Sequence, residues 1–158
     1  RAHGQPARYQ HSIYGMNERM DGIQAACLSI KLDHLDGWQK LRDAAFERYE
    51  PQLAEIDGVD VVGCRPEAKH VHHLLVVTVS DRDVVLKELN ELGIGAGIHY
   101  PYPIHTLPPC GDLGNVGDFP VTEALADTIL SLPLYPGITD EQVDRVAATL
   151  AEVLAGRP

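Results

Sequence analysis

The most strand-like part of the chain reads His72-His73-Leu74-Leu75-Val76-Val77-Thr78-Val79. Its β-branched residues favour an extended backbone, and its apolar run is long enough to lie centrally in a sheet. A helix is predicted directly after it, over residues 82–92, with Ser80 or Asp81 as its N-terminal cap. The middle of the chain therefore combines a buried strand with a helix.

Further elements are predicted on both sides of this strand. Helical periodicity predicts four more helices, which begin at Asn17, cover residues 35–53 and 121–130, and follow the capping box Thr139-Asp140-Glu141-Gln142. Pro51 is expected to end or kink the second of these. Extended runs predict strands at residues 59–62 and 96–100 and an edge segment at 132–136. This order indicates an α+β fold in which helices cover a small sheet.

Composition narrows the classes of partner. The chain has 158 residues, enough for one domain, with 44% hydrophobic and 23% charged residues. Its net charge of −10 argues against nucleic acid and anionic membrane surfaces. Three widely spaced cysteines indicate neither a disulfide framework nor a thiolate zinc site, so the cytoplasm is the expected location. No signal peptide or membrane-spanning run is evident, and a start at Arg1 instead of Met suggests a fragment or a processed product.

A proline-braced segment, Gly97-Ile98-His99-Tyr100-Pro101-Tyr102-Pro103-Ile104-His105, carries two imidazoles and two phenols. The prolines fix φ and remove backbone donors, so the chain after Tyr100 must run extended. Stiff polar loops often carry binding residues. The segment is either such a binding loop or a packed loop with solvated histidines, and composition alone leaves both open.

Two other motifs favour structural roles. The glycine-rich run at residues 93–97 closes a predicted helix and opens a strand, whereas a dinucleotide fingerprint follows a strand and opens a helix. A helix C-cap and a tight turn explain these glycines. The histidines at positions 70, 72 and 73 are accompanied by neither a helical HExxH spacing nor a cysteine pair, so no metal is predicted.

The sequence Asn17-Glu18-Arg19 lies where a helix is expected to start. Asn17 is then either an N-cap beside a surface arginine or part of a phosphate-binding group. An amide donor, a guanidinium and a helix N-terminus together suit a phosphate. Composition alone again leaves both interpretations open.

Five ordered blocks carry a resemblance to a known family. They are Tyr14-Gly-Met-Asn-Glu-Arg-Met-Asp-Gly-Ile-Gln-Ala-Ala, then Lys31-Leu with Leu35-Asp-Gly-Trp, the proline-braced segment, Ser131-Leu-Pro-Leu-Tyr-Pro, and Gln142-Val-Asp-Arg-Val. Together they closely resemble the C-terminal part of the DegT/DnrJ/EryC1/StrS aminotransferases, pyridoxal-phosphate (PLP) enzymes of aminosugar biosynthesis. The resemblance covers essentially the whole chain.

The resemblance implies the C-terminal small domain, plus a connecting helix, of PLP-dependent transferase fold type I, in a homodimer with composite active sites. Residues 1–16 would be an irregular lead-in from a missing large domain, residues 17–55 connecting helices, and residues 56–158 the small α+β domain. The complete enzyme would use PLP to move an amino group, from glutamate or glutamine, onto a keto-sugar nucleotide.

The resemblance also implies roles for single residues. Asn17 would reach the cofactor phosphate in the partner subunit's site, with Arg19 nearby as a phosphate or structural group. His99, Tyr100 and His105 would be substrate contacts, because the proline-braced segment borders the sugar-nucleotide pocket in this family.

The chain departs from the family pattern in one important respect. The Schiff-base lysine of the family would lie upstream of residue 1, so no residue of this chain is assigned a catalytic role and the chain alone is expected to be inactive. Two alternatives stay open. One is a non-catalytic relic or interaction module that kept the small-domain fold, and the other is a PLP-dependent sugar dehydratase of the same family.

Overall fold

The computed structural model describes residues 2–156. Arg1, Arg157 and Pro158 lie outside the described residues, and so do the ends of the expected lead-in (1–16) and small domain (56–158) that fall on them. The described chain forms two compact units, one up to Gly37 and one from Trp38 onward. The division into a lead-in, connecting helices and a small domain stays a prediction.

A three-stranded antiparallel sheet lies in the second unit. Its strands are β1 (Asp60–Val61), β2 (Leu75–Thr78) and β3 (Ile129–Leu132), in the spatial order β1-β2-β3. The expected central position of the 72–79 run is confirmed, since β2 pairs with both neighbours. Leu75 and Val77 are buried, whereas Val76 and Thr78 are half-buried, as the two-residue period of a strand requires.

The strand ends differ from the sequence prediction. His72 has a φ of +44°, which is incompatible with a strand, so β2 starts only at Leu75. The prediction of a strand at residues 96–100 is wrong, because this stretch forms only a single β-bridge, between Gly97 and Ser131. The expected edge segment at 132–136 is also misplaced: β3 begins at Ile129, within the expected helix 121–130, because pairing with β2 outweighs helical periodicity there.

The first helix also corrects the sequence prediction. One continuous helix, α1 (Gly22–Ala54), replaces the two connecting helices expected over residues 17–55. It begins later than Asn17 because the Asp21 carboxylate accepts hydrogen bonds from the backbone N–H groups of Ile23 (2.8 Å) and Gln24 (3.4 Å). Pro51 lies inside the helix without ending it. Pro51 removes one backbone donor from the last turn, and the complete burial of Leu53 in that turn offsets part of the cost.

Three shorter α-helices lie in the second unit: α2 (Arg82–Glu91), α3 (Pro120–Thr128) and α4 (Asp140–Ala155). The predicted capping box at the start of α4 is confirmed, with Thr139 and Gln142 exchanging both hydrogen bonds. Asp81 occupies the N-cap position of α2, but its side chain forms no capping hydrogen bond. The prediction therefore gives the correct N-cap position for α2, but the expected side-chain hydrogen bond from this cap is not formed.

The core of the second unit lies between the sheet and the helices. The following side chains, from α1, β2, α2, β3 and α4, are at most 1% exposed: Tyr49, Leu53, Leu75, Val77, Val85, Leu89, Leu130, Val143 and Leu150. On α4 the buried positions recur at steps of three and four, as expected for a helix with one apolar face. This core supports the loop that follows Gly97.

The first unit contains a turn-rich segment followed by the start of α1. Its backbone is closed by hydrogen bonds from His3 N to Met16 O and from Ser12 N to Gly4 O, both 3.0 Å. Large apolar side chains in this unit are well exposed, among them Ile13, Tyr14 and Ile23. Among residues 2–156, no helix combines the length and apolar character needed to cross a membrane.

Candidate functional site

The loop over residues 97–119 carries the predicted substrate contacts, and its first anchor is Ser131 of β3. Gly97 and Ser131 exchange two backbone hydrogen bonds, Gly97 N to Ser131 O (3.0 Å) and Ser131 N to Gly97 O (2.7 Å). The buried Ser131 hydroxyl lies 2.9 Å from Nδ1 of His99. A Cβ on residue 97 would come within 3.3 Å of the His99 ring, so glycine suits this close approach. The ring of His99 is therefore held by the sheet.

His99 and Tyr100 form an exposed pair on this anchor. Their rings meet edge to face with centroids 5.6 Å apart, and the peptide bond between them is cis. Tyr100 is 75% exposed and His99 is exposed as well. Because Nδ1 of His99 is engaged by Ser131, Nε2 is the ring nitrogen that a ligand can reach. The pair can offer a ligand one imidazole nitrogen, one phenol and an aromatic face.

His105 is in a different environment. It is buried, its Nε2 lies 2.9 Å from Oε1 of Glu123, and its ring packs against Phe119 with centroids 4.8 Å apart. The structure thus brings His99 and Tyr100 together but sets His105 apart from them. Its predicted role as a substrate contact stays a prediction, and its burial favours an effect through the shape of the loop.

Glu123, in the first turn of α3, is the partner that holds the far end of the loop. Its carboxylate accepts the backbone N–H of Gly117 at 2.9 Å and that of Phe119 at 3.3 Å, in addition to facing His105. These hydrogen bonds, above all the one from Gly117, lower the pKa of Glu123 and keep it ionised. The sequence reasoning missed this residue. The sequence did contain a signal for its position, because an acidic residue three positions after a proline such as Pro120 is typical of the first turn of a helix.

Asn17 and Arg19 lie in the first unit, between the turn-rich segment and α1. Both are exposed, and among the described residues neither side chain has a hydrogen-bond partner. The interpretation of Asn17 as an N-cap is wrong, since Asp21 caps the helix instead. An unengaged amide and an unengaged guanidinium are donors without acceptors, and this donor set fits a phosphate group.

The histidines near residue 72 form a cluster on the second unit. Nδ1 of His70 lies 3.0 Å from Nδ1 of His72, whose ring stacks on Phe46. Burial lowers the pKa of His72 and favours its neutral form. Within the part of the chain that the structure describes, no group of three His, Cys, Asp or Glu residues could hold a metal ion.

The chain that carries this site is similar to proteins of a known family. Residues 1–151 match the model of the DegT/DnrJ/EryC1/StrS aminotransferase family. The chain is 39% identical over 151 residues to the erythromycin biosynthesis sensory transduction protein EryC1 of Saccharopolyspora erythraea, covering 95% of this chain and 41% of that protein. It is 35% identical over 153 residues to the dTDP-3-amino-3,4,6-trideoxy-alpha-D-glucose transaminase of Streptomyces venezuelae, covering 96% and 40%.

A solved structure shows the same fold. The crystal structure of S. venezuelae DesV in complex with a ketimine intermediate superposes with a TM-score of 0.88 at 34% identity, covering 99% of this chain and 42% of that one. The chain therefore spans about 40% of the length of these relatives. Enzymes of this family depend on PLP, and solved relatives hold it or its amine form. The expected α+β fold of the PLP-dependent transferases is confirmed.

Proposed function

Because the chain belongs to the DegT/DnrJ/EryC1/StrS aminotransferase family, we propose that it is the C-terminal part of a PLP-dependent sugar aminotransferase. The complete enzyme transfers an amino group, from glutamate or glutamine, to a keto-sugar nucleotide in aminosugar biosynthesis. The observation that carries the proposal is the exposed His99–Tyr100 pair, whose histidine is hydrogen-bonded to Ser131, in a chain 35% identical to a dTDP-sugar transaminase over almost its whole length.

The substrate contacts follow from the donors and acceptors of this pair. Nε2 of His99 and the hydroxyl of Tyr100 hydrogen-bond sugar hydroxyls or phosphate oxygens of the nucleotide. The exposed ring of Tyr100 also covers an apolar face of the sugar. Because the Ser131 hydroxyl fixes His99 before the substrate arrives, little side-chain entropy is lost on binding.

Asn17 and Arg19 hold the phosphate of the cofactor. The side-chain amide of Asn17 donates a hydrogen bond to a phosphate oxygen, and the guanidinium of Arg19 adds a charge-assisted contact. When bound, PLP supplies the electron sink that amino transfer needs. Following the family resemblance, Asn17 serves the site of a second copy, so the working form is a homodimer in the cytoplasm. The catalytic lysine belongs to the part of the enzyme outside these residues, and the 158-residue chain alone is inactive.

The test uses the complete polypeptide that contains these residues. It is incubated with PLP, glutamate or glutamine, and a keto-sugar nucleotide, and the products are identified by mass spectrometry. An aminosugar nucleotide supports the proposal, and its formation by the 158-residue chain alone would contradict the assignment of inactivity.

Two other outcomes identify the alternatives. A dehydrated sugar without incorporated nitrogen indicates a dehydratase of the same family. A protein that dimerises but binds no PLP indicates a non-catalytic module.

A further inference from the structure

The carboxylate of Glu123 ties three points of the 97–119 loop to α3. Both of its oxygens lie 2.9 Å from the backbone nitrogen of Gly117, and Oε1 also lies 3.3 Å from that of Phe119 and 2.9 Å from Nε2 of His105. The Glu123 side chain is only 22% exposed. One side chain therefore replaces solvent for several donors that belong to a loop rich in proline and glycine.

A carboxylate suits this position better than any uncharged side chain. All the partners of Glu123 are donors, and an ionised carboxylate is the side-chain group that only accepts. An amide of the same shape would replace one oxygen by an N–H donor and set it against the N–H of Gly117, which lies 2.9 Å from both carboxylate oxygens. Phe119 adds a second contact, because its ring packs against the His105 ring with centroids 4.8 Å apart.

The two anchors of the loop lie on one continuous piece of the chain. Glu123 is on α3 and Ser131 is on β3, which begins at the residue after α3 ends. Between the anchored residues His99 and His105, Pro101 and Pro103 restrict the backbone further. The position of Tyr100 is therefore determined from both sides, and release of either anchor frees it.

We propose that Glu123 is a positioning residue that holds the 97–119 loop, and with it Tyr100, in the shape that binds the sugar nucleotide. This inference rests on the proposed function for the identity of the ligand. Glu123 touches neither substrate nor cofactor in this role. Its removal lowers the affinity for the sugar nucleotide and leaves cofactor binding and the rate at saturating substrate largely unchanged.

The experiment compares the complete protein with its Glu123→Gln variant. Glu152→Gln on the exposed side of α4 serves as the matched control, since it removes the same charge away from the loop. Hydrogen exchange is measured at the backbone amides of Gly117 and Phe119. Calorimetry gives the affinity for dTDP-glucose, and the affinity for PLP is measured separately. Steady-state kinetics with the keto-sugar nucleotide give KM and kcat. We expect exchange to accelerate roughly 10-fold or more in Glu123→Gln, the usual scale for losing a charge-assisted hydrogen bond.

The expected kinetic result is a rise in the Kd for dTDP-glucose and in KM of similar size, with kcat and PLP affinity within about two-fold of the wild type. His105→Ala is a second variant that keeps the two backbone hydrogen bonds, so it should accelerate exchange less. The Glu152→Gln control should behave as the wild type. Unchanged exchange in Glu123→Gln overturns the inference, and so does faster exchange with unchanged dTDP-glucose affinity.

Failure of the proposed function gives a different pattern. If the wild type neither binds dTDP-glucose nor forms an aminosugar, the proposed ligand is wrong. Exchange at Gly117 then still decides whether Glu123 holds the loop. Loss of PLP affinity in Glu123→Gln would count against the inference, because it would indicate general unfolding instead of a local release.

Discussion

Replacing Tyr49 by Phe removes one hydroxyl from the middle of the second unit. Tyr49 lies on α1 and is completely buried, and its hydroxyl donates a 2.9 Å hydrogen bond to the carbonyl of Pro133, directly after β3. The phenyl ring stays in place in the variant, so no cavity forms. The change therefore isolates one contact between the helix and the chain leaving the sheet.

The expected loss of stability follows from the Pro133 carbonyl, which has no donor among the described residues once the Tyr49 hydroxyl is removed. A buried acceptor without its donor costs about 1–3 kcal/mol. Pro133 is only half-buried, so water can partly replace the lost donor, which places the expected loss in the lower half of that range, about 1–2 kcal/mol. With a urea m-value of about 1–3 kcal/mol/M, the unfolding midpoint should fall by roughly 0.5–1 M.

Tyr135→Phe is the matched control. Tyr135 is 44% exposed, and its hydroxyl donates to Oε1 of Gln142 at 3.2 Å. That oxygen also accepts the backbone N–H of Thr139, so it keeps a partner in the variant. We expect a change of less than about 0.5 kcal/mol in the free energy of unfolding.

The pH dependence gives an independent check. Burial, and secondarily the charge of Tyr135, raises the pKa of Tyr49 above its ordinary value near 10. The unfolded chain then releases a proton above about pH 10 that the folded chain retains, so wild-type stability falls by about 1.4 kcal/mol per pH unit there. The Tyr49→Phe variant lacks this loss, and the two stability curves should converge near pH 11. Equal stability at pH 7, or parallel curves up to pH 11, would refute the reasoning.

Three further predictions concern the core, acid stability and the cofactor. Leu150→Ala, at a fully buried position, should lower the free energy of unfolding by about 2–5 kcal/mol. Leu92→Ala, at a half-exposed position, should lower it by less than about 1 kcal/mol. Urea titration compares the two variants, and equal losses would contradict the assigned core. The Arg48 guanidinium lowers the pKa of Asp144, so this carboxylate stabilises the fold above its unfolded value near 3.9 and the contribution is lost as the pH falls through the folded pKa. Asp144→Asn should flatten the acid side of the stability profile, and a slope as steep as in the wild type would argue against it. Asn17→Ala in the complete enzyme should weaken PLP retention by a few kcal/mol at most, measured by equilibrium dialysis, and unchanged retention would remove Asn17 from the site.

Local signals predicted the elements whose structure is decided locally. The capping box at Thr139 and Gln142 is contained in four residues, and the buried face of α4 repeats at a helical period, so both were predictable without knowledge of the fold. The apolar run around Val77 identified the central strand for the same reason.

Errors occurred where distant contacts decide the structure. Ile129 and Leu130 fit the apolar pattern of a helix, but their pairing with Thr78 and Val77 makes them a strand. The start of α1 depends on which of two nearby polar residues, Asn17 or Asp21, accepts the first backbone N–H groups.

The candidate site shows the same limit. The exposed histidine and tyrosine could be found from the proline-braced segment, because proline marks such loops in the sequence itself. The anchors Ser131 and Glu123 could not be recognised as partners of His99 and His105, since the contacts cross 32 and 18 positions of the chain. The role of His105 as a substrate contact stays a prediction, and its hydrogen bond to the carboxylate of Glu123 was not visible in the sequence.

The bridge between Gly97 and Ser131 also covers the outer edge of β3. An unpaired outer strand offers free N–H and C=O groups on which another chain can build an intermolecular sheet. On β3 these groups are already used: Ser131 bonds Gly97 in both directions, the N–H of Ile129 donates to Leu125 O, and its carbonyl accepts Nη1 of Arg82. Ser131, whose hydroxyl orients the His99 ring, thus also blocks this edge through its backbone, so a variant that loosens the loop near Gly97 exposes a template for aggregation.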